Sequence, residues 1–146
     1  MDITIVRKPG QRDRIYVARA DGSEASWSFP SYGDGLPHDL VHFVVETTFG
    51  IERGLWGLVR AGVDIERVNA VANRVGGADK YRALGDLREL MQAEALAVAP
   101  WLSPGASDED CVDAVRRQCE ASRPRVEPPR ALTLERVAVA RARLRE

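Results

Sequence analysis

The sequence predicts an α+β fold, an N-terminal three-stranded antiparallel meander packed against four or five helices. Three observations carry this. Over residues 2–30 apolar and polar residues alternate with the period of a strand. Pro9-Gly10 and Asp21-Gly22 punctuate that run as turns. From residue 36 onward apolar residues recur at helical spacing, in segments bounded by capping residues, glycine or proline.

The strands come first. Residues 2–7, DITIVR, form the first, residues 14–20, RIYVARA, the second, and residues 23–30, SEASWSFP, the third, with Trp27 and Phe29 on one face. A meander of this kind has one apolar face that needs cover, and the helix beginning near residue 36 supplies it. The connecting loop carries Tyr32 and Asp34 toward the start of that helix, placed to add a ligand or simply to turn the chain.

Residues 36–50, LPHDLVHFVVETTFG, form the central helix. Pro37 suits a first turn, where its missing N–H costs nothing, Asp39 meets the positive end of the helix dipole, and Gly50 is a stop. At about 100° per residue, His38, Asp39, His42, Glu46 and Phe49 share an arc of about 100°. Leu40, Val41, Phe43, Val44 and Val45 fill most of the rest. A helix apolar over so wide an arc is buried on most sides, so its polar stripe faces a cleft or an internal polar site.

Residues 51–62 read as a short second helix in which Gly54 and Gly57 imply close backbone packing. Residues 63–77 open with Asp64 as a cap and end at Gly76-Gly77, with Ile65, Val68, Val71 or Ala72, and Val75 facing the core and Asn69 and Asn73 on one face. Residues 78–102 read as the longest helix, with Leu84, Leu87, Met91 and Ala95 on one stripe that Leu90 and Val98 widen. Ser107 caps the next helix, whose first turn holds Asp108, Glu109 and Asp110 and whose buried stripe is Cys111, Val112, Val115 and Cys119. The organisation expected is one α+β domain over 1–122, a proline-rich linker over 123–130 and a C-terminal helix over 131–146 capped by Thr133. That last helix either straps onto a second copy, giving a homodimer, or folds back on its own chain.

The chemistry-bearing residues sit on the central helix. His38 and His42 are the only histidines of the chain and stand four apart, one above the other on a helix face, where both can ligate one ion. Glu46 reaches back toward His42 as a third metal ligand or as the acceptor that orients the imidazole. Asp39 points further round and suits catalytic work, orienting a ligand or deprotonating a metal-bound water. The cofactor expected is zinc or another divalent metal. No Lys or Arg occurs from residue 20 to 52 while Asp21, Glu24, Asp34, Asp39, Glu46 and Glu52 do, a local field that favours a cation. Glu89 and Glu94 are further carboxylates able to reach the ion from another helix, and nothing in the sequence selects between them. Beside this stands a plainer reading, in which Asp39 is a first-turn carboxylate and His42 and Glu46 are an i,i+4 hydrogen-bonded pair serving packing.

HDLVH at 38–42 resembles the HExxH motif of the zincin metalloproteases, with Asp39 one methylene shorter than the glutamate of that family. It also resembles the HDxxH start of the zinc motif of the ubiquinone-biosynthesis organising family, whose later glutamate falls here on Gly54. The run LPHDLVHFVVE followed by GLWG is similar to small uncharacterised bacterial proteins with an LPHDxxHxxxE helix, a resemblance that covers residues 30–62 and implies no activity.

Composition excludes several classes. A net charge of −1, low aromatic content and no basic stripe argue against nucleic-acid binding. No apolar run reaches the length of a membrane span, and no signal peptide opens the chain, so a cytoplasmic location is expected. Cys111 and Cys119, about 12 Å apart along a helix axis, are too distant to bridge. Phosphate-loop, GxGxxG and GxSxG motifs are missing.

Overall fold

The computed structural model describes residues 1–29, 35–67 and 84–146. The elements are β1 (Asp2–Val6), β2 (Asp13–Ala18), β3 (Glu24–Phe29), α1 (His38–Phe49), α2 (Leu55–Arg60), α3 (Arg88–Ala97), α4 (Asp108–Ala121) and α5 (Leu134–Arg143). The class is α+β, with a three-stranded antiparallel sheet of order β1-β2-β3 among the described residues. No described helix is long and apolar enough to cross a membrane. The chain divides into two compact units, Met1–Leu40 with Leu58–Gly85 and Val41–Gly57 with Asp86–Glu146, and α1 and α2 each pass from one into the other.

In the first unit the strands form where the alternation puts them. Ile15 pairs with Ile5 on one side and Trp27 on the other. Along β2 the buried residues Asp13, Ile15 and Val17 alternate with exposed Arg14, Tyr16 and Ala18. The second turn needs Gly22 at φ +82°, a left-handed conformation that favours glycine. A buried carboxylate, Asp13, opens β2 and accepts a hydrogen bond from Arg7 Nε at 3.0 Å. Arg19, just past the end of β2, reaches the carbonyl of Val59 at 2.6 Å. Asp64 accepts the Arg67 amide at 3.0 Å, as its capping position predicts, and residues 65–67 are helical. The rest of the helix expected over 63–77, from Val68 to Gly77, lies outside the described residues, as do Tyr32 and Asp34 of the loop before α1.

In the second unit α1 stops at Gly50, whose φ of +69° releases the Ile51 amide to the Glu46 carbonyl at 2.9 Å. The helix expected over 78–102 is corrected. Its first residues, 78–83, lie outside the description, and regular helix runs only from Arg88 to Ala97. Gly85 takes φ +75° and Asp86 accepts the Arg88 amide at 3.0 Å, so the helix starts at Arg88 and does not run through Gly85. Val98, placed on the apolar stripe by spacing, is past the helix end and 55% exposed. Trp101 is buried instead, its indole N–H donating to the Leu96 carbonyl at 2.7 Å.

Ser107 and Asp110 form a reciprocal capping box at the start of α4. The buried face of α4 is Cys111, Val112, Val115 and Cys119. Both thiols are free, and burial pushes Cys111 up and Cys119 up to about 11. Residues 123–146, read from the sequence as linker and arm, belong to this unit. Val126 is buried and its amide bonds the Cys119 carbonyl at 3.2 Å. Helix α5 packs on α4 through Val137, Ala140 and Leu144, and Arg141 pairs with Asp108 at 2.8 Å. Two more arginines of the same helix hold the end of α1: Arg136 donates to the Thr48 carbonyl at 2.6 Å and Arg143 to the Thr48 hydroxyl at 2.9 Å.

Candidate metal centre

The polar stripe of α1 is interior. Asp39, His42 and Glu46 are all buried, while Phe43, assigned to the apolar arc, is 38% exposed and meets Trp56 edge-on at 6.2 Å. Burial of three ionisable groups on one helix is costly unless each has partners, and each has them.

At the first turn of α1 the partners come from β3. His38 stacks on Phe29, the ring centroids 5.0 Å apart and the planes within 13°. Asp39 accepts the Trp27 indole N–H at 2.7 Å. The pairing follows from the strand period, which sets Trp27 and Phe29 two apart on one face. Asp39, expected in a catalytic role, is thus 3% exposed and bonded to an indole.

One turn later the arrangement is built around His42. Its Nδ1 lies 3.0 Å from Glu46 Oε1, and its Nε2 lies 3.8 Å from Glu94 Oε2, within ion-pair range. The imidazole is 1% exposed and the Glu94 side chain 38%. Glu46 is clamped from a third direction. Its Oε1 also accepts the Leu55 amide at 2.8 Å and its Oε2 the Trp56 amide at 3.0 Å, both at the start of α2. The carboxylate fits there because residue 54 is glycine. A Cβ on Gly54 would sit 2.5 Å from the Glu46 carboxyl carbon. The neighbouring amides of Glu52 and Arg53 bond to Glu89 at 2.7 and 2.6 Å. Of the two carboxylates the sequence could not separate, Glu89 is therefore spent on this loop and Glu94 faces the histidine.

Burial pulls the His42 imidazole down, but the Glu46 and Glu94 carboxylates, one toward each ring nitrogen, outweigh it and hold the group at about 9 against an ordinary 6.5. A site that stabilises positive charge between two carboxylates is chemically suited to a cation. His38, one turn earlier on the same helix, completes with His42 and Glu94 a group that could hold a metal ion. Glu46, expected as a ligand or as the acceptor that orients the imidazole, lies outside that group and on the far ring nitrogen. Comparison with family models, with curated proteins and with solved structures returned no match.

Proposed function

We propose that the protein binds a divalent cation, zinc first, through His38, His42 and Glu94. The observation that carries this reading is the division of labour on the His42 ring. Nδ1 is committed to Glu46, which fixes the ring and leaves Nε2 as the metal-facing atom, the carboxylate–histidine–metal arrangement of many metal sites. Donor atoms sharing one tetrahedral ion at bonds of about 2.0–2.2 Å stand a little over 3 Å apart. Nε2 and Glu94 Oε2 stand 3.8 Å apart and the three donor atoms lie within 4.8 Å of one another, so the side chains must draw together around an ion to meet that spacing. Two imidazoles and one carboxylate suit zinc better than magnesium or calcium, which prefer oxygen alone. The activity this reading allows is metal-assisted hydrolysis, with a water on the ion as nucleophile.

A second reading has its own support. Asp39 and Glu46 are bonded to Trp27, Leu55 and Trp56, contacts that also serve packing. In that reading the protein is a non-enzymatic homodimeric module, joined through the exposed Leu134 and Val139 of α5. Elemental analysis of protein purified without a polyhistidine tag separates the two. Stoichiometric metal that disappears in the His38→Ala/His42→Ala double variant is the result expected. Equal, negligible metal in both proteins defeats the metal reading.

A further inference from the structure

We propose that the outer face of the sheet is a docking surface for a partner protein, which seats an arginine side chain in a hollow over Ala18. The register builds the hollow. Asp2 of β1 pairs with Ala18 of β2, and Ala18 pairs in turn with Glu24 of β3. Thr4, Tyr16 and Ser26 form the next row by the same pairing. The strand period of two puts these six side chains on the face opposite the buried Ile15 and Val17. Alanine has the shortest side chain of its row, so the face is recessed between the two carboxylates. A cavity of about 420 Å³ opens over these residues.

Charge and width say what fits. The lining holds two carboxylates and, among the described residues, no basic side chain. Asp2 and Glu24 stand two strands apart, about 10 Å between their Cα atoms at the usual strand spacing. A cation that meets both must therefore be broad. A guanidinium offers a planar fork of N–H donors that pairs with carboxylates on two edges, whereas an ammonium is a compact point charge. Tyr16 is 43% exposed, and its ring gives the aliphatic stem of an arginine an apolar wall. Arg14, two residues back along β2, stacks over the same ring at 5.6 Å and does not line the hollow.

Shape says that the arginine belongs to a partner. Small-molecule sites enclose about 70–90% of their ligand, while a hollow on a sheet face touches one side of what it holds. The remaining contacts must come from a surface lying across the strands. Tyrosine and arginine are also the side chains that anchor protein interfaces. None of these residues belongs to the candidate metal group, so the inference stands apart from the metal reading.

The test is an NMR titration of the isotope-labelled full chain with arginine blocked at both ends, as acetyl-arginine N-methylamide. Its lysine and citrulline analogues and free arginine serve as comparisons. The result expected is a saturable shift of the Thr4, Tyr16, Ala18 and Glu24 amides with blocked arginine. Blocked lysine should bind several-fold more weakly, and neutral citrulline should leave the amides unmoved. The double variant Asp2→Asn/Glu24→Gln changes two exposed side chains to isosteres, so it should keep the spectrum of the fold and lose the arginine response. Tyr16→Ala should weaken it several-fold. No saturable shift, an unchanged response in the double variant, or citrulline or lysine binding as tightly as arginine overturns the proposal. Free arginine binding more tightly than the blocked form assigns the hollow to a small molecule and overturns the docking surface.

Discussion

The two ends of α1 are held by different means. The first turn is fixed by neighbours close in sequence, with Trp27 and Phe29 of β3 meeting Asp39 and His38. The last turn has no basic residue of its own. Its terminal carbonyl region is neutralised by Arg136 and Arg143, which arrive from 88 and 95 residues away along the chain. Between the ends lies the His42–Glu46 pair, which joins a local i,i+4 contact to the first backbone amides of α2. The contrast separates what a helix can secure from its own segment from what only tertiary folding supplies.

The sharpest way to break that comparison is at its middle. Glu46→Ala strips His42, Leu55 and Trp56 of one shared acceptor, and uncompensated buried groups of this kind cost about 3–5 kcal/mol. Urea denaturation should show the loss, and Glu46→Asp, one methylene short, should recover only part of it. Gly54→Ala comes next. Its methyl group displaces the Glu46 carboxylate, and overpacking in a closed interior costs about 1–3 kcal/mol. The double variant Gly54→Ala/Glu46→Ala should be less destabilised than the sum of the two, because the clash has gone with the carboxylate.

At the far end, Arg136→Ala removes one of the two arginine bonds to Thr48 and should cost about 1.5–3 kcal/mol, the range for a hydrogen bond from a charged donor. The near end gives a smaller effect. Trp27→Phe leaves Asp39 without the indole donor, at about 1–3 kcal/mol, and the same denaturation series ranks the two ends directly.

Acidity sharpens the comparison in a second way. The folded value of His42, about 9, lies above the ordinary 6.5. Its contribution to stability is fully present below pH 6.5 and is lost as pH rises through about 9. Metal binding runs the other way, because an ion must displace the proton from Nε2, so zinc affinity should climb over the same interval. Opposite slopes for stability without metal and for zinc affinity, measured on one protein, would tie both to this ring. Glu46→Gln should flatten the first.

The sheet was the most legible part of the chain, since a period of two and a glycine turn are local properties. So were the Ser107, Thr133 and Asp64 caps, each within three residues of its acceptor or donor partner. The His42–Glu46 contact was equally readable from spacing. What spacing could not give was the choice between Glu89 and Glu94, because it depends on which side of α3 meets the loop after α1. Nor could it place the Trp27–Asp39 bond, or the exposure of Phe43 where an apolar arc was expected. The start of α3 at Arg88 was missed because the apolar stripe runs on through Gly85 in the sequence, while the left-handed backbone of Gly85 and the Asp86 carboxylate on the Arg88 amide precede the helix.

Residues 51–56, the irregular stretch up to Gly54 and the first two residues of α2, look soft. Yet four of their main-chain N–H groups, at Glu52, Arg53, Leu55 and Trp56, end on two carboxylates from separate helices. In deuterated solvent the Leu55 and Trp56 protons, held by the buried Glu46, should exchange on the timescale of helix opening, and the exposed Glu52 and Arg53 protons faster.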